Sequence, residues 1–102
     1  MIELTAKELA KKIEENSVLL VDIRRPDEYK KNHFPNSIHI DFYDDDFEML
    51  FKELPLDKHI VLYCQNGNRS ALALTFLESI DITNASHLQG GITAWLEQGY
   101  TI

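Results

Sequence analysis

The sequence predicts an α/β domain: a parallel sheet with helices on both faces. Three observations lead there. Short, continuous apolar runs such as Val18-Leu19-Leu20-Val21 suit strands buried on both sides. Amphipathic segments at helical spacing lie between those runs. Polar turns separate the two kinds of segment, and the order strand, helix, strand, helix continues to the end of the chain. In such sheets, binding sites form at the carboxyl ends of the strands.

The elements follow in order. A short strand is expected at residues 2–4. Thr5 and Glu8 form a capping-box pattern ahead of Leu9 and Ile13, which starts a helix over residues 6–15. Asn16 and Ser17 end it, and the apolar strand at 18–21 follows. Pro26 stops the extended segment, and Asp27 and Glu28 suit the first turn of a short helix reaching Lys31. Asn32 to Asn36 read as a turn, and Ser37-Ile38-His39-Ile40 alternates like an edge strand. Asp41, Asp44, Asp45 and Asp46 lack the glycine and terminal glutamate of a calcium loop, so they read as a solvated cap. Phe47, Leu50, Phe51 and Leu54 then mark one helical face. His59–Tyr63 is a strand that ends at Cys64. Ala71, Leu72, Leu74, Phe76, Leu77 and Ile80 continue as a helix. A weaker strand covers 83–88, Gly90-Gly91 is a tight turn, and 92–98 is a last helix with Trp95 and Leu96 facing inward. Gly99 stands where a helix ends. Without repeats or a linker, residues 1–102 are expected to form a single domain.

Composition narrows the function. Ten basic against seventeen acidic residues give a net charge of -7, which argues against a nucleic-acid or anionic-membrane surface. An anionic substrate must then be captured by local geometry. The single cysteine allows no internal disulfide and offers no resolving partner, so sulfur chemistry at Cys64 needs a second molecule. No signal-peptide pattern or spanning apolar stretch is visible, and a free thiol fits a reducing cytoplasm.

The stretch Tyr63-Cys64-Gln65-Asn66-Gly67-Asn68-Arg69-Ser70 carries the chemistry. An apolar strand ends in a cysteine, a polar loop follows, and Arg69 and Ser70 open a helix. That arrangement hangs the loop over a helix N-terminus, where free backbone N–H groups and the positive end of the dipole favour anions. A cysteine on that rim is expected to carry a reactive thiolate. Gly67 permits a positive φ or a close backbone approach. Arg69 is a cation where a helix usually takes an acid, which suggests a functional reason. Ser70 either caps the helix or donates its hydroxyl to the site.

Three stretches together resemble the rhodanese-like domain family. Val21-Asp22-Ile23-Arg24-Arg25-Pro26-Asp27-Glu28-Tyr29 with His33 is similar to its first signature. Cys64 to Arg69 is similar to its active-site loop. Gly90-Gly91-Ile92-Thr93-Ala94-Trp95 with Gly99-Tyr100 is similar to its closing signature. Asn32 and Phe34 depart from the usual glycine and isoleucine. The resemblance implies a three-layer fold with a five-stranded parallel sheet in the order 1-5-4-2-3. It also implies a sulfurtransferase needing no cofactor. Cys64 would take a sulfur from thiosulfate or a persulfide donor, hold it as a persulfide, and yield it to cyanide, a thiol or a protein. The N–H groups of Gln65, Asn66, Gly67, Asn68, Arg69 and Ser70 would hold the anion, and Arg69 would steady donor or leaving sulfite.

Two competitors stand beside that expectation. Cysteine phosphatases place five residues between cysteine and arginine, whereas four lie between Cys64 and Arg69, a tighter ring suited to one sulfur atom. A persulfide carrier or docking module would keep Cys64 without turning over a small donor. Elsewhere, Asp22 and Arg24 share a face and read as a structural ion pair rather than a substrate contact. His33, His39, His59 and His87 show no metal-ligand spacing, and none lies near Cys64 in sequence. His33 is expected to bond within its own turn, and Trp95 to sit in the core.

Overall fold

The computed structural model describes residues 3–102, so Ile2 of the expected first strand lies outside them. Its elements run β1 (Glu3–Leu4), α1 (Ala6–Glu14), β2 (Val18–Asp22), α2 (Pro26–Lys31), β3 (Ile38–His39), α3 (Phe47–Lys52), β4 (His59–Tyr63), α4 (Asn68–Ser79), β5 (Ala85–Leu88) and α5 (Gly91–Glu97). The five strands form one parallel sheet in the order β1-β5-β4-β2-β3. The strand that delivers Cys64 is therefore central.

Alternation along the strands divides the core between the two faces of the sheet. Ile60, Leu62 and Cys64 pack with Val21, Ile23, Phe47, Phe51, Ala73, Leu74 and Leu77, on the side of α3 and α4. Val61 and Tyr63 pack with Leu4, Leu9, Leu20, Phe34, Leu88, Ile92 and Trp95, on the side of α1 and α5. The β4 residues from Ile60 to Tyr63 are fully buried, and each such aliphatic side chain contributes roughly 1.5–3 kcal/mol by leaving water.

Local sequence explains most boundaries. Thr5 Oγ1 accepts from Glu8 N at 3.1 Å and Glu8 Oε1 accepts from Thr5 N at 2.9 Å, so the expected capping box opens α1. Pro26 opens α2 one residue earlier than expected, since its missing N–H costs nothing in a first turn. Several expectations shorten. The strand expected at 83–88 begins only at Ala85. Asn84 is used instead as a clip, its amide donating to Leu56 O at 2.6 Å and Lys58 O at 2.8 Å. The edge strand shrinks to Ile38–His39, because Ser37 Oγ turns back to Phe34 O at 2.7 Å. Leu54 lies beyond the end of α3 yet still packs against the core.

One expectation fails outright. Leu96 is 44% exposed, whereas Trp95 is buried. Successive helical residues point about 100° apart, and in α5 the pair Ile92 and Trp95, three apart, takes the sheet-facing side. Leu72 of α4 is likewise turned to solvent.

Candidate active site

The site grows from the carboxyl end of β4. Cys64 is buried at 1% exposure, and the next residues turn sharply into α4. Gly67 makes the turn with φ +92°, a region where a side chain is strained, and a Cβ there would meet Gly90 N at 2.9 Å. The turn aims main-chain amides at the thiol. Gly67 N donates to Cys64 Sγ at 3.1 Å and Ser70 N donates to it at 3.4 Å. The sulfur thus sits at the floor of a cup at the N-terminus of a twelve-residue helix.

The carbonyls of the same loop face the other way. Ile92 N donates to Cys64 O at 3.0 Å and Thr93 N to Gln65 O at 3.1 Å, both from the first turn of α5. Gly91 allows that approach: with φ +61°, a Cβ there would lie 2.4 Å from Cys64 O. Thr93 Oγ1 accepts from Gln65 Nε2 at 3.1 Å and donates to Asn66 Oδ1 at 2.9 Å. Because α5 occupies the carbonyls, the loop amides are free to face the sulfur.

Two ion pairs brace this end of the sheet. Asp22 and Arg24 are both buried. Asp22 Oδ2 accepts from Arg24 Nη2 at 2.8 Å, and its Oδ1 accepts from Arg24 N at 2.8 Å. Arg24 then donates to Gln65 Oε1 at 3.1 Å and to Asn32 O, so the expected structural pair ties the end of β2 to the Cys64 loop and to the turn after α2. Tyr63 OH accepts from Phe34 N at 3.1 Å in the same region, and burial pushes the phenol above its ordinary range.

Arg69 reaches Glu28 of α2 with both terminal nitrogens, at 2.7 and 2.9 Å. That pairing drives the Glu28 carboxyl down to about 2, and the carboxylate in turn raises Arg69. Glu28 Oε1 also accepts from Arg25 N at 3.2 Å, so the carboxylate is fixed by its own helix. Sequence reasoning missed Glu28 as the partner that offsets a cation at a helix N-terminus. Arg25, Asp27, Glu28, Tyr43 and Arg69 line an open cavity of about 340 Å³ beside the loop. Another hollow, at Val18, Leu19, Leu20 and Lys58, lies at the opposite, amino ends of the strands.

Among the other expected site residues, Asn66 and Asn68 are exposed on the outer side of the turn, and Gln65 is half-buried against Arg24 and Thr93. Ser70 is fully buried: its Oγ lies 3.5 Å from Cys64 Sγ and 3.2 Å from Gly67 O. It also lies 2.9 Å from Nδ1 of His87, a histidine that sequence distance had separated from the thiol. His33 bonds within its own turn, its Nδ1 lying 2.8 Å from Tyr29 O. Among the described residues, no group of histidine, cysteine, aspartate and glutamate is arranged to hold a metal ion. No helix among them is long and apolar enough to cross a membrane.

Residues 5–98 match the rhodanese-like domain family. The chain belongs to that family. As a rhodanese-like domain, it is 34% identical over 88 residues to the thiosulfate sulfurtransferase GlpE of Pseudomonas syringae, spanning 86% of this chain and 81% of that one. It is 32% identical over 101 residues to a sulfurtransferase of Allochromatium vinosum, spanning 98% and 92%. Its fold superposes on the crystal structure of a rhodanese-related protein from Thermoplasma volcanium with a TM-score of 0.87 at 32% identity, covering 99% and 96% of the two chains. The sheet order implied by the resemblance is the order observed.

Proposed function

We propose that this rhodanese-like domain is a sulfurtransferase that carries a sulfane sulfur on Cys64. The observation that carries the reading is the pair of amides, Gly67 N and Ser70 N, converging on one buried sulfur. A thiolate there gains two N–H donors and the positive end of α4 at once. Relatives named as sulfurtransferases support the same reading.

The steps balance without a cofactor. Cys64 thiolate attacks the outer sulfur of thiosulfate or of a persulfide donor, forming a sulfur–sulfur bond. The donor's own sulfur–sulfur bond breaks, and its electron pair leaves with sulfite or with the donor thiolate. The terminal sulfur of the new persulfide keeps the negative charge, which the cup amides hold. Cyanide, a thiol or a partner protein then attacks that sulfur, and Cys64 departs as thiolate. Arg69, fixed at the rim by Glu28, presents its cation to the approaching donor. The expected setting is cytoplasmic, with neither nucleic acid nor membrane as partner.

Tyr43, 59% exposed in the cavity that includes Arg69, favours a second reading in which the acceptor is a protein and the domain relays persulfide. Intact mass decides between them. A gain of one sulfur from thiosulfate, lost on adding cyanide, is the result expected of an enzyme. A gain from polysulfide alone points to the relay. No gain from either, with turnover of an aryl phosphate, overturns both.

A further inference from the structure

The buried side of the cup holds a chain of polar groups that the transfer steps above do not use. Ser70 Oγ stands between Cys64 Sγ, at 3.5 Å, and His87 Nδ1, at 2.9 Å. All three residues are buried, with His87 at 3% exposure. Sheet register makes the meeting inevitable. His87 pairs with Leu62, and Cys64 lies two residues beyond Leu62, so both side chains leave the same face toward α4. The far nitrogen, His87 Nε2, has no hydrogen-bond partner, although it is buried. Among the described residues it is the only such side-chain nitrogen or oxygen. A carboxylate waits just out of reach: Glu3 Oε2 lies 3.7 Å away, on the strand that pairs Glu3 with His87.

A buried polar atom left unpaired is costly, and its position commonly has a use. Here the chemistry of each group defines one. A hydroxyl has one proton and two lone pairs, so Ser70 can accept on one side while it donates on the other. With the proton on sulfur, Cys64 S–H points to Ser70 Oγ. The hydroxyl proton has two acceptors, Gly67 O at 3.2 Å and a neutral His87 Nδ1 at 2.9 Å, the nearer of which continues the row. Reversing the row moves the thiol proton to Ser70 Oγ and the Ser70 proton to His87 Nδ1. The S–H and original O–H bonds break, and new O–H and N–H bonds form. Cys64 is left as thiolate, accepting from Ser70, and His87 becomes a cation with its Nε2–H toward Glu3.

We propose that His87 is a positioning residue that takes the Cys64 proton through the Ser70 hydroxyl and so sets how much of the thiol is ionised at neutral pH. Burial lowers the basicity of His87 and so opposes its taking the proton, while the Glu3 carboxylate favours the cation and offsets that cost. The charged groups facing the row are Glu3 from β1 and Arg69 from α4, whose cation is already held by Glu28 of α2. The inference rests on Cys64 being the sulfur carrier, but its test does not require sulfur transfer.

Cys64 is the only cysteine, so the ultraviolet absorbance of its thiolate can be followed against pH as a difference from the Cys64→Ser variant. His87→Gln keeps a polar group but cannot take the proton. It is expected to move the thiolate profile upward by about one pH unit or more, and Glu3→Gln by less in the same direction. Independently, the imidazole nitrogen signals of His87 should titrate at a different pH in Cys64→Ser than in the unmodified chain, because coupled groups report on one another. This second measurement stands even if His87→Gln does not fold. Superimposable thiolate profiles, or a His87 titration indifferent to Cys64→Ser, overturn the proposal. A coupled titration in a protein that never gains sulfur from any donor would support the proton path through Ser70 and refute the sulfurtransferase. Sulfur loading with an unmoved profile would do the reverse.

Discussion

The turn from β4 into α4 and the turn from β5 into α5 sit side by side at the carboxyl ends of adjacent parallel strands. Each is a largely buried strand leading into a helix through a glycine with positive φ, Gly67 at 92° and Gly90 at 74°. Their uses are opposite. The first turns its amides on Cys64 Sγ. The second spends two of its first-turn amides on the carbonyls of the first, at Cys64 O and Gln65 O. The same local device makes an anion cup in one place and a bracket for that cup in the other. A helix N-terminus is thus a resource whose use depends on what lies against it.

The largest effect should come from removing the atom that distinguishes the two turns. Cys64→Ser is expected to abolish sulfur transfer and leave the fold intact, since the smaller hydroxyl keeps the amide contacts. Mass spectrometry after donor treatment, alongside thermal unfolding, checks both halves. Undiminished transfer would remove the chemical difference between the turns. Next comes the bracket. Gly91→Ala places a methyl 2.4 Å from Cys64 O at a positive φ, so it should cost about 1–3 kcal/mol in urea unfolding and slow transfer although it never touches substrate. Full activity in that variant would show that the cup stands without its bracket.

The Glu28–Arg69 pair belongs to the cup alone. Glu28 is held at about 2 in the folded chain against an ordinary 4.5, so the pair stabilises fully above about 4.5 and fades as pH falls from there toward 2. Because the pair is partly exposed, Glu28→Gln should lower stability by about 1 kcal/mol at neutral pH. Its acid unfolding curve should converge with that of the unmodified chain near the bottom of that window. A difference that persists there would point to lost packing instead. The smallest effect is expected at Thr93→Val, which removes the hydroxyl linking Gln65 and Asn66. A loss of about 1 kcal/mol or less, read by urea unfolding, with transfer slowed only slightly, would show that the backbone bonds from α5 carry most of the bracket.

Much of this arrangement could be read along the chain. The capping box at Thr5 and Glu8, the continuous apolar strands and the turn signals placed most elements within a few residues. Errors arose where a local signal met a nonlocal demand. Leu96 looked apolar enough to be inward, but α5 shows the sheet one narrow face, and Ile92 and Trp95 fill it. Asn84 looked like part of a strand, but its amide was claimed by carbonyls 26 and 28 residues away. At the site, the residue types from Cys64 to Ser70 were visible. Their partners were not: Glu28 and His87 lie 41 and 17 residues from the side chains they meet.

The sequence by itself determined that strands and helices alternate, that the lone cysteine ends a buried strand, and that a helix begins just after it. Those properties depend on local periodicity and backbone preference, which neighbouring residues carry. The tertiary structure decided what the distant charged and polar groups face: Arg69 against Glu28, Arg24 against Gln65, Ser70 against His87, and α5 against the loop carbonyls. Periodicity states which side of an element is buried. It does not say which strand lies beside it, and it is the pairing of β5 with β4 that brings an imidazole to the Ser70 hydroxyl beside the sulfur.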